Sequence, residues 1–555
     1  MQKLISKYGL AAHLALLAVA PLFLFPFLTV DAIATTELWL SAFALVWVLM
    51  EPSRRSDEML HDARTRVASS IVRDPLFWAL LGAVVFAAIR WANGGVAMAC
   101  DFNNGAPVWS LKPPACPFLP GGVSGSGYPL FAAALAALVL VQGCVHALGK
   151  SARIAFLFTA ATLSGLAALL GVALCETGCA GALAAAWCGE MTRASFVGTV
   201  FGLGLLAGVA SLVGVFECHW TRQTLLLIFA VGGNLVGLFF FAPTPVALVH
   251  LAAAVVALAV ALAYAAVRLG VSQAAKCLSV LAIVLLIPVL VVLGVSVFGE
   301  KADARIASVV RTARMSANPE PVSASPAELA QAAMYQASTN RLALFSGGDL
   351  FPAGYAARRT ALSDVAARVW REHPWLGTGV GSFGLAMRFA ALPADWAVFN
   401  PRPDELVFVD ALRQGFGDMP DRERPAGFVR FPDDWRDIGA ERVSTPFNGW
   451  WALLAERGIV GALVLAVVLG FLLFHYVQRL LGARGRSVFV PGAAVGVLAL
   501  VALAAEAFID ASFLRPDVLV VAAAFLAVSV SSFPPARKKA EGSAADGTGE
   551  TNAGS

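Results

Sequence analysis

The sequence is poor in charge. Only 14% of its 555 residues are Asp, Glu, Lys or Arg, whereas 59% are hydrophobic. Soluble domains carry about 25% charged residues, so this composition excludes a water-soluble body for most of the chain. It indicates a polytopic membrane protein surrounded by membrane lipids. The net charge of +4 says little about partners, because topology distributes charges by membrane side, and no feature predicts binding to nucleic acid.

Histidine is scarce as well, with seven in the chain. No His accompanies the cysteines at the spacing of a zinc site, and we expect neither a metal nor a cofactor. Five of the eight cysteines lie in two connections between apolar runs, namely Cys100 and Cys116 in one and Cys175, Cys179 and Cys188 in the next. An oxidising compartment would permit disulfides there. Free thiols are the alternative for the second group, whose number is odd.

Two features of secondary transporters are missing. The second half of the chain does not repeat the first, whereas many such transporters are built from paired halves. Ionisable residues are scarce inside the apolar runs, where a proton-coupled carrier usually needs carboxylates or His. Asn234 is the main polar residue deep in a run. Glu506 and Asp510, four residues apart near the outer boundary, are interpreted as solvated at the interface, with a role in lining a path as the alternative.

Long apolar runs dominate what is present. A run of roughly 17 to 25 residues is long enough to cross the membrane as a helix. We predict an all-α protein with twelve spans, near residues 10–30, 34–50, 76–92, 128–148, 154–175, 196–216, 223–241, 244–267, 277–299, 448–475, 489–508 and 516–533. The domains are then nine spans in residues 1–299, an extracytoplasmic loop in 300–447, three spans in 448–533 and a disordered tail in 534–555.

The Lys and Arg residues of the short connections predict the orientation. One side holds eighteen of them, and the other side holds four, which are Arg90, Lys112, Arg193 and Arg515. Because short cytoplasmic connections carry the excess of positive charge, we expect both termini in the cytoplasm and residues 300–447 outside. That loop has seventeen basic and eighteen acidic residues, and this balance favours a folded body. We expect this body to be mainly helical and laid across the outer mouth of the bundle.

Residues 356–371 of the loop predict an amphipathic helix. Apolar residues recur there at spacings of three and four, and Pro374 ends the pattern. The helix carries four Arg residues that could hold a diphosphate through their planar guanidinium groups, with an ordinary solvated face as the alternative: Arg358, Arg359, Arg368 and Arg371. Gly377, Gly379 and Gly381 follow. With no strand before them they are a weak phosphate-loop signal, and a turn or re-entrant packing is the better interpretation.

Several of these residues occur in an order that resembles the O-antigen ligase and polymerase family. They are Arg358 or Arg359 followed by Trp370, the run from His373 to Phe383, and Asn448 with Glu456, Gly458 and Gly461 at the start of the next span. Twelve spans with the large loop between the ninth and tenth also resemble the ligases. The resemblance covers nearly the whole chain in topology and about a hundred residues in motifs.

The resemblance implies a metal-independent glycosyltransferase of the bacterial inner membrane. Such enzymes take a glycan from an undecaprenyl diphosphate carrier on the outer face and pass it to a lipid, polysaccharide or protein acceptor. It implies that Arg side chains hold the diphosphate and that a loop His assists the acceptor hydroxyl. Preorganised cations could stabilise the charge of the leaving diphosphate without a metal.

The chain departs from the family in two places. Phe447 stands where the ligases carry a His, directly before Asn448, and residues 242–246 lack the family's Ser-Arg-Gly. His373 is the sole imidazole of the outer loop and therefore the candidate base, with Asn448 orienting the substrate. Asp404, Glu405 and Asp410 are carboxylate alternatives. A non-catalytic member that binds the lipid-linked glycan or scaffolds a polysaccharide assembly complex is the second hypothesis, and a transporter or flippase is the third.

The topology is testable by cysteine accessibility. We expect Ser325→Cys and Ser543→Cys to react with an impermeant thiol reagent from opposite sides of the membrane, because the first lies in the outer loop and the second in the tail. Labelling of both from the same side would contradict the assignment.

Overall fold

The computed structural model describes residues 2–24, 28–50, 69–103, 106–123, 125–148, 150–176, 191–217, 224–268, 278, 355–390, 446, 448–482, 491–510 and 514–531. Its helices are α1 Gln2–Leu24, α2 Val30–Met50, α3 Pro75–Ala92, α4 Gly127–Gln142, α5 Lys150–Glu176, α6 Met191–Glu217, α7 Thr224–Phe240, α8 Thr244–Arg268, α9 Tyr355–Glu372, α10 Phe383–Ala390, α11 Gly449–Gly482, α12 Pro491–Glu506 and α13 Pro516–Ser531. A π turn, Gly143–Ala147, ends α4. The strands are β1 Gly94–Asn103, β2 Ala106–Lys112 and β3 Gly122–Val123.

The described part of the chain is mostly helical, and seven of its helices are long and apolar enough to cross a membrane. Three shorter apolar helices accompany them, Tyr8–Leu24, Leu225–Phe240 and Val495–Glu506. These helices indicate a membrane protein. Twelve spans remain a prediction, since the expected ninth, residues 277–299, lies outside the described residues apart from Leu278. The tail after residue 531 and the loop outside 355–390 lie outside them too.

The expectation of an all-α protein is wrong in the connection between α3 and α4. There β1 and β2 pair antiparallel, from Ala97 with Lys112 to Asn103 with Ala106, and β3 pairs parallel to β1. The dipeptide at positions 104 and 105 is Asn-Gly, the strongest short-range hairpin signal in a sequence. The hairpin could therefore have been predicted. The thiol of Cys116 is free.

Helix α6 is the centre of the bundle and contacts α5, α7, α8 and α12. All of its span Ser195–Leu212 is buried. Glycines allow the neighbours to approach closely, because a Cβ added at Gly204 would lie 2.3 Å from Ser164 Oγ and one at Gly202 would lie 2.2 Å from the ring of His250. Small residues are what membrane helices use to pack tightly when no hydrophobic effect draws them together.

Helix α11 is broken at Gly458, whose φ of 64° and ψ of −169° are not helical. Four backbone groups freed by the break pair with the loop between α9 and α10: the carbonyls of Ala455 and Glu456 accept from Thr378 and Gly379 at 2.9 Å each, and the N–H groups of Ile459 and Val460 donate to Pro374 and Trp375 at 2.9 and 3.1 Å. Backbone groups inside a membrane protein must be paired. The loop therefore completes the broken helix.

The guanidinium of Arg90 lies at the end of α3 and is fully buried. It stabilises the contact between the loop and the break in α11. Its Nη1 donates to the carbonyls of Gly121 and Glu456 at 3.1 and 3.2 Å, and its Nη2 donates to those of Leu376 and Arg457 at 3.2 and 3.1 Å. Four carbonyls from three separate segments thus converge on one side chain, which joins α3, the segment before β3, the glycine loop and α11.

The glycine loop confirms the first of the two interpretations, a turn. Gly377, Gly379 and Gly381 all have positive φ, at 66°, 114° and 74°. A Cβ at Gly377 would lie 2.4 Å from the carbonyl carbon of Glu456, so no other residue fits against the break. The loop's N–H groups at positions 378 and 379 are already used by α11, which leaves them unable to cradle a phosphate.

Gly458→Ala should destabilise the protein more than Gly470→Ala, a matched change later in the same helix. A Cβ at Gly458 would lie 2.3 Å from the Trp375 carbonyl oxygen, whereas Gly470 has nothing within 4 Å. Alanine is favoured over glycine in a helix by roughly 1 kcal/mol, so the control should be neutral or stabilising. Thermal unfolding in detergent measures both variants. Equal melting temperatures would contradict the packing described.

Candidate functional site

The Arg-rich helix α9 is docked on the first turns of α11. Its apolar face packs with α10 against α11 in one cluster: Ala361, Leu362, Val365, Ala366, Val369, Phe383, Ala386, Met387, Ala390 and Ala455. The rings of Trp370 and Trp451 lie 6.1 Å apart at the edge of this contact. The amphipathic helix predicted from the sequence is confirmed, and it is fixed at the end of the bundle where α11 begins.

The structure does not bring the predicted arginines together. Arg359 is half-buried, and its Nη2 donates to the carbonyl of Phe508, just beyond α12. Arg368 donates from Nε to the carbonyl of Ala390 at 2.9 Å. Nine residues turn a helix by about 180° beyond whole turns, so these two face opposite ways. Arg371 is exposed, and the side chain of Arg358 lies outside the described residues. Among the three described side chains, that of Arg359 is the one that contacts the helix bundle.

Asn448 begins α11 as its N-cap. Its Oδ1 accepts from the N–H groups of Trp450 and Trp451 at 3.1 and 3.2 Å, which satisfies donors that a helix start leaves open. The N–H of Gly449 donates to the carbonyl of Ala507 at 2.7 Å. The side-chain oxygen of Asn448 is thus committed to the helix, and only its amide NH₂ is left to meet a substrate oxygen.

The candidate base His373 lies at the other end of α9. Its backbone N–H donates to the carbonyls of Val369 and Trp370 at 3.2 and 3.1 Å and so ends the helix, while its side chain is exposed. Fourteen residues separate it from Arg359, which is about 21 Å along a helix. Phe447 and the three carboxylate alternatives lie outside the described residues.

Glu506 and Asp510 are fully buried, so their interpretation as solvated interfacial residues is wrong. Glu506 Oε1 accepts a short 2.5 Å hydrogen bond from Thr199 Oγ1, and its Oε2 lies 3.0 Å from His250 Nε2. The carboxylate ties α12 to α6 and α8. We refer to Thr199, His250 and Glu506 as the polar cluster. His250 and Glu506 are 256 positions apart in the sequence. The one sequence feature that could have indicated their contact is that each of two apolar runs contains a single ionisable residue.

The polar cluster has one unmatched atom. If Nε2 of His250 carries the proton and donates it to Glu506, Nδ1 is a bare acceptor. Nδ1 is buried and has no hydrogen-bond partner among the described residues. A Cβ at Gly202 would lie 2.3 Å from this atom, so glycine is what leaves room for the imidazole. Ionisable groups inside membrane helices are costly and mark functional sites by default.

The end of α12 joins the polar cluster to α9. Glu506 belongs to the cluster, the next carbonyl accepts from the start of α11, and the carbonyl of Phe508 accepts from Arg359. The ring of Phe508 also lies 6.0 Å from that of Trp450. We call residues 506–510 the α12 junction. A shift of this one turn would move the carbonyl groups that Arg359 and the capped start of α11 contact.

An apolar cavity of about 220 Å³ adjoins the junction between α3, α4, α11, α12 and α13. Its walls are mostly aliphatic, with Leu80, Leu130 and Val518 among them, and two side chains in the lining carry N–H groups, Trp450 and Arg457. Arg457 donates from Nη2 to the carbonyl of Leu514 at 3.1 Å, and its Nε has no partner in the described part of the chain. The guanidinium of Arg457 therefore lies in the apolar wall of the cavity, with one N–H donor that no described residue uses.

Comparisons with known proteins add no relative. No family model matches the chain, and no curated protein matches it. The family resemblance thus depends on the motif residues and their order. Within the described residues, no group of three or more His, Cys, Asp or Glu could hold a metal ion.

Thr199→Val should cost more stability than Ser211→Ala on the same helix. The first change leaves a buried Glu506 oxygen without its hydroxyl donor, which costs about 1–3 kcal/mol. The hydroxyl of Ser211 bonds only within its own helix, to the carbonyl of Ala207. Urea or thermal unfolding in detergent would compare them. A Thr199→Val protein as stable as the control would mean that the short hydrogen bond contributes nothing.

Proposed function

We propose that this protein transfers a glycan from a polyprenyl diphosphate carrier to an acceptor at the outer face of the bacterial inner membrane, with both termini in the cytoplasm. The observation that carries the proposal is the apolar cavity with Arg457 in its wall, next to a junction that Arg359 contacts. An isoprenoid tail suits aliphatic walls, and a diphosphate suits guanidinium groups. One amphiphilic molecule would satisfy both.

In this proposal, two arginines bind the diphosphate from different sides. Departure of the diphosphate develops negative charge, which fixed cations stabilise best where water is excluded. Arg457 meets the diphosphate at the cavity wall, and Arg359 meets it from the outer helix, with Arg358 beside it in sequence. The amide of Asn448 orients a sugar or phosphate oxygen. Arg368 bonds elsewhere and Arg371 is exposed, so neither takes part.

The position of the acceptor base follows from the same geometry. A base must lie within hydrogen-bond reach of the hydroxyl that it activates. His373 lies about 21 Å along α9 from Arg359, too far to serve a reaction centred on that arginine. The acid–base groups at the α12 junction are Glu506 with its partner His250, and the buried carboxyl of Asp510. We therefore place the base among these groups or on the acceptor itself, and not at His373.

A second candidate function, a proton-coupled carrier or flippase, is favoured by the buried pair His250 and Glu506. The scarcity of buried ionisable groups counted against a carrier at the level of sequence, and this pair supplies the missing feature. The third hypothesis, a non-catalytic protein that binds the lipid-linked glycan, differs from the first only in turnover.

Transfer should depend on Arg359 and not on Arg371. In purified full-length protein with an undecaprenyl-diphosphate-linked glycan, Arg359→Gln should lower transfer about ten- to hundredfold, because a hydrogen bond to a charged group contributes about 1.5–3 kcal/mol. Arg371→Gln, the matched change on the same helix, should leave transfer unchanged, as should His373→Ala. Full activity of Arg359→Gln would remove this arginine from the site.

A measurement of proton flux distinguishes a proton-coupled carrier from a glycan transferase. In proteoliposomes, proton uptake that depends on the lipid-linked glycan and is abolished by Glu506→Gln, without any transferred product, would replace the proposed function by the second candidate. Product formation without proton uptake supports transfer. Tight binding of the lipid-linked glycan with neither product nor flux supports the non-catalytic role.

A further inference from the structure

A second cluster of reactive side chains lies at the opposite ends of α3 and α4, away from the glycine loop. Ser70 Oγ lies 3.0 Å from His146 Nδ1, and His146 Nε2 lies 3.2 Å from Asp74 Oδ2. The other carboxylate oxygen of Asp74 accepts from the N–H of Leu76 at 2.9 Å. A hydroxyl, an imidazole and a carboxylate are thus linked in series, and the carboxylate is oriented by the backbone.

Local sequence explains why these groups meet. Asp74 is the N-cap of α3, and proline follows it at the first helical position, which is a strong helix start. His146 lies in the π turn Gly143–Ala147, where an extra residue per turn re-aims side chains. Such turns occur frequently at functional sites. The cap fixes the carboxylate and the π turn directs the imidazole toward it.

Burial falls from the carboxylate to the hydroxyl. The side chain of Asp74 is 4% exposed and that of His146 is 15% exposed, whereas Ser70 is exposed. An ionised carboxylate only accepts hydrogen bonds, so Nε2 carries the ring proton and Nδ1 is free to accept from the hydroxyl of Ser70. The two ring nitrogens exchange places relative to serine proteases, but the direction of proton transfer is the same.

We propose that Ser70, His146 and Asp74 form a serine-type acyl-transfer site that hydrolyses carboxylic esters of amphiphiles at this membrane face. Its position selects the substrate class. The indole N–H of Trp78, which is exposed, donates to the carbonyl of Val72 at 2.8 Å, and such tryptophans mark the membrane–water interface. Ser70 therefore stands at the boundary, where an ester group meets water while its chain stays in the bilayer.

The reaction balances with water alone. Ser70 Oγ attacks the ester carbonyl carbon while His146 Nδ1 takes the hydroxyl proton, and the alcohol leaves with that proton. Water then attacks the acyl–serine ester while His146 takes one of its protons. As the acyl–oxygen bond breaks, His146 returns that proton to Ser70 Oγ, which frees the serine and releases the carboxylic acid. Residues three apart on a helical turn are neighbours, so the exposed guanidinium of Arg73 is placed to stabilise the oxyanion.

The test uses the full-length protein in detergent and a fluorophosphonate probe, which reacts covalently with activated serines. We expect stoichiometric labelling of the wild type at Ser70, no labelling of Ser70→Ala, and at least a tenfold slower reaction of His146→Gln. Ser69→Ala, the matched control one residue away, should label as the wild type does. An unlabelled wild type, or labelling that persists in Ser70→Ala, overturns the proposal.

Asp74 acts through His146 and is a positioning residue. Asp74→Asn keeps an oxygen that caps α3 but no longer holds the ring proton on Nε2. With p-nitrophenyl butyrate, this variant should lose about ten-thousandfold in kcat with KM and melting temperature unchanged. An unchanged kcat overturns the assignment. Ser70→Ala should leave glycan transfer at the other face intact, so the two proposals fail separately.

Discussion

The break in α11 is the constraint on which the arrangement of this end of the helix bundle depends. A membrane helix interrupted at Gly458 exposes carbonyl and N–H groups that water cannot reach, and each must find a partner in the protein. The glycine loop supplies four of those partners and Arg90 supplies more. Only glycine at position 377 allows the loop backbone to come this close. The pairing therefore fixes where the loop, and with it α9, must sit.

Because the loop is fixed, α9 has one orientation. Its apolar face covers the first turns of α11, and Arg359 reaches the α12 junction while Arg368 points to α10. Broken helices in transporters use unwound backbone to bind ions. Here the freed groups at positions 455, 456, 459 and 460 all pair with protein, so the break serves docking.

Two buried polar groups differ in how far their contacts explain them. Arg90 donates to four carbonyls and joins the segments that carry them, although its Nε has no partner among the described residues. The pair His250 and Glu506 leaves a ring nitrogen without a partner in the described part of the chain, and it joins α8 to α12 in a place where ionisable groups are costly. Ionisable groups inside membrane helices are by default candidates for a functional site.

The sequence by itself determined the membrane class, most helices, the amphipathic face of α9 and the turn role of the three glycines, because hydropathy and local spacing encode these directly. The Asn-Gly pair at 104–105 also encoded the hairpin. Only the tertiary structure decided that Glu506 meets His250, that Arg90 joins four carbonyls, and that Ser70 meets His146. Such contacts depend on how each helix is rotated about its axis. A nearly uniform apolar helix does not specify that rotation, whereas a helix with one face toward water does.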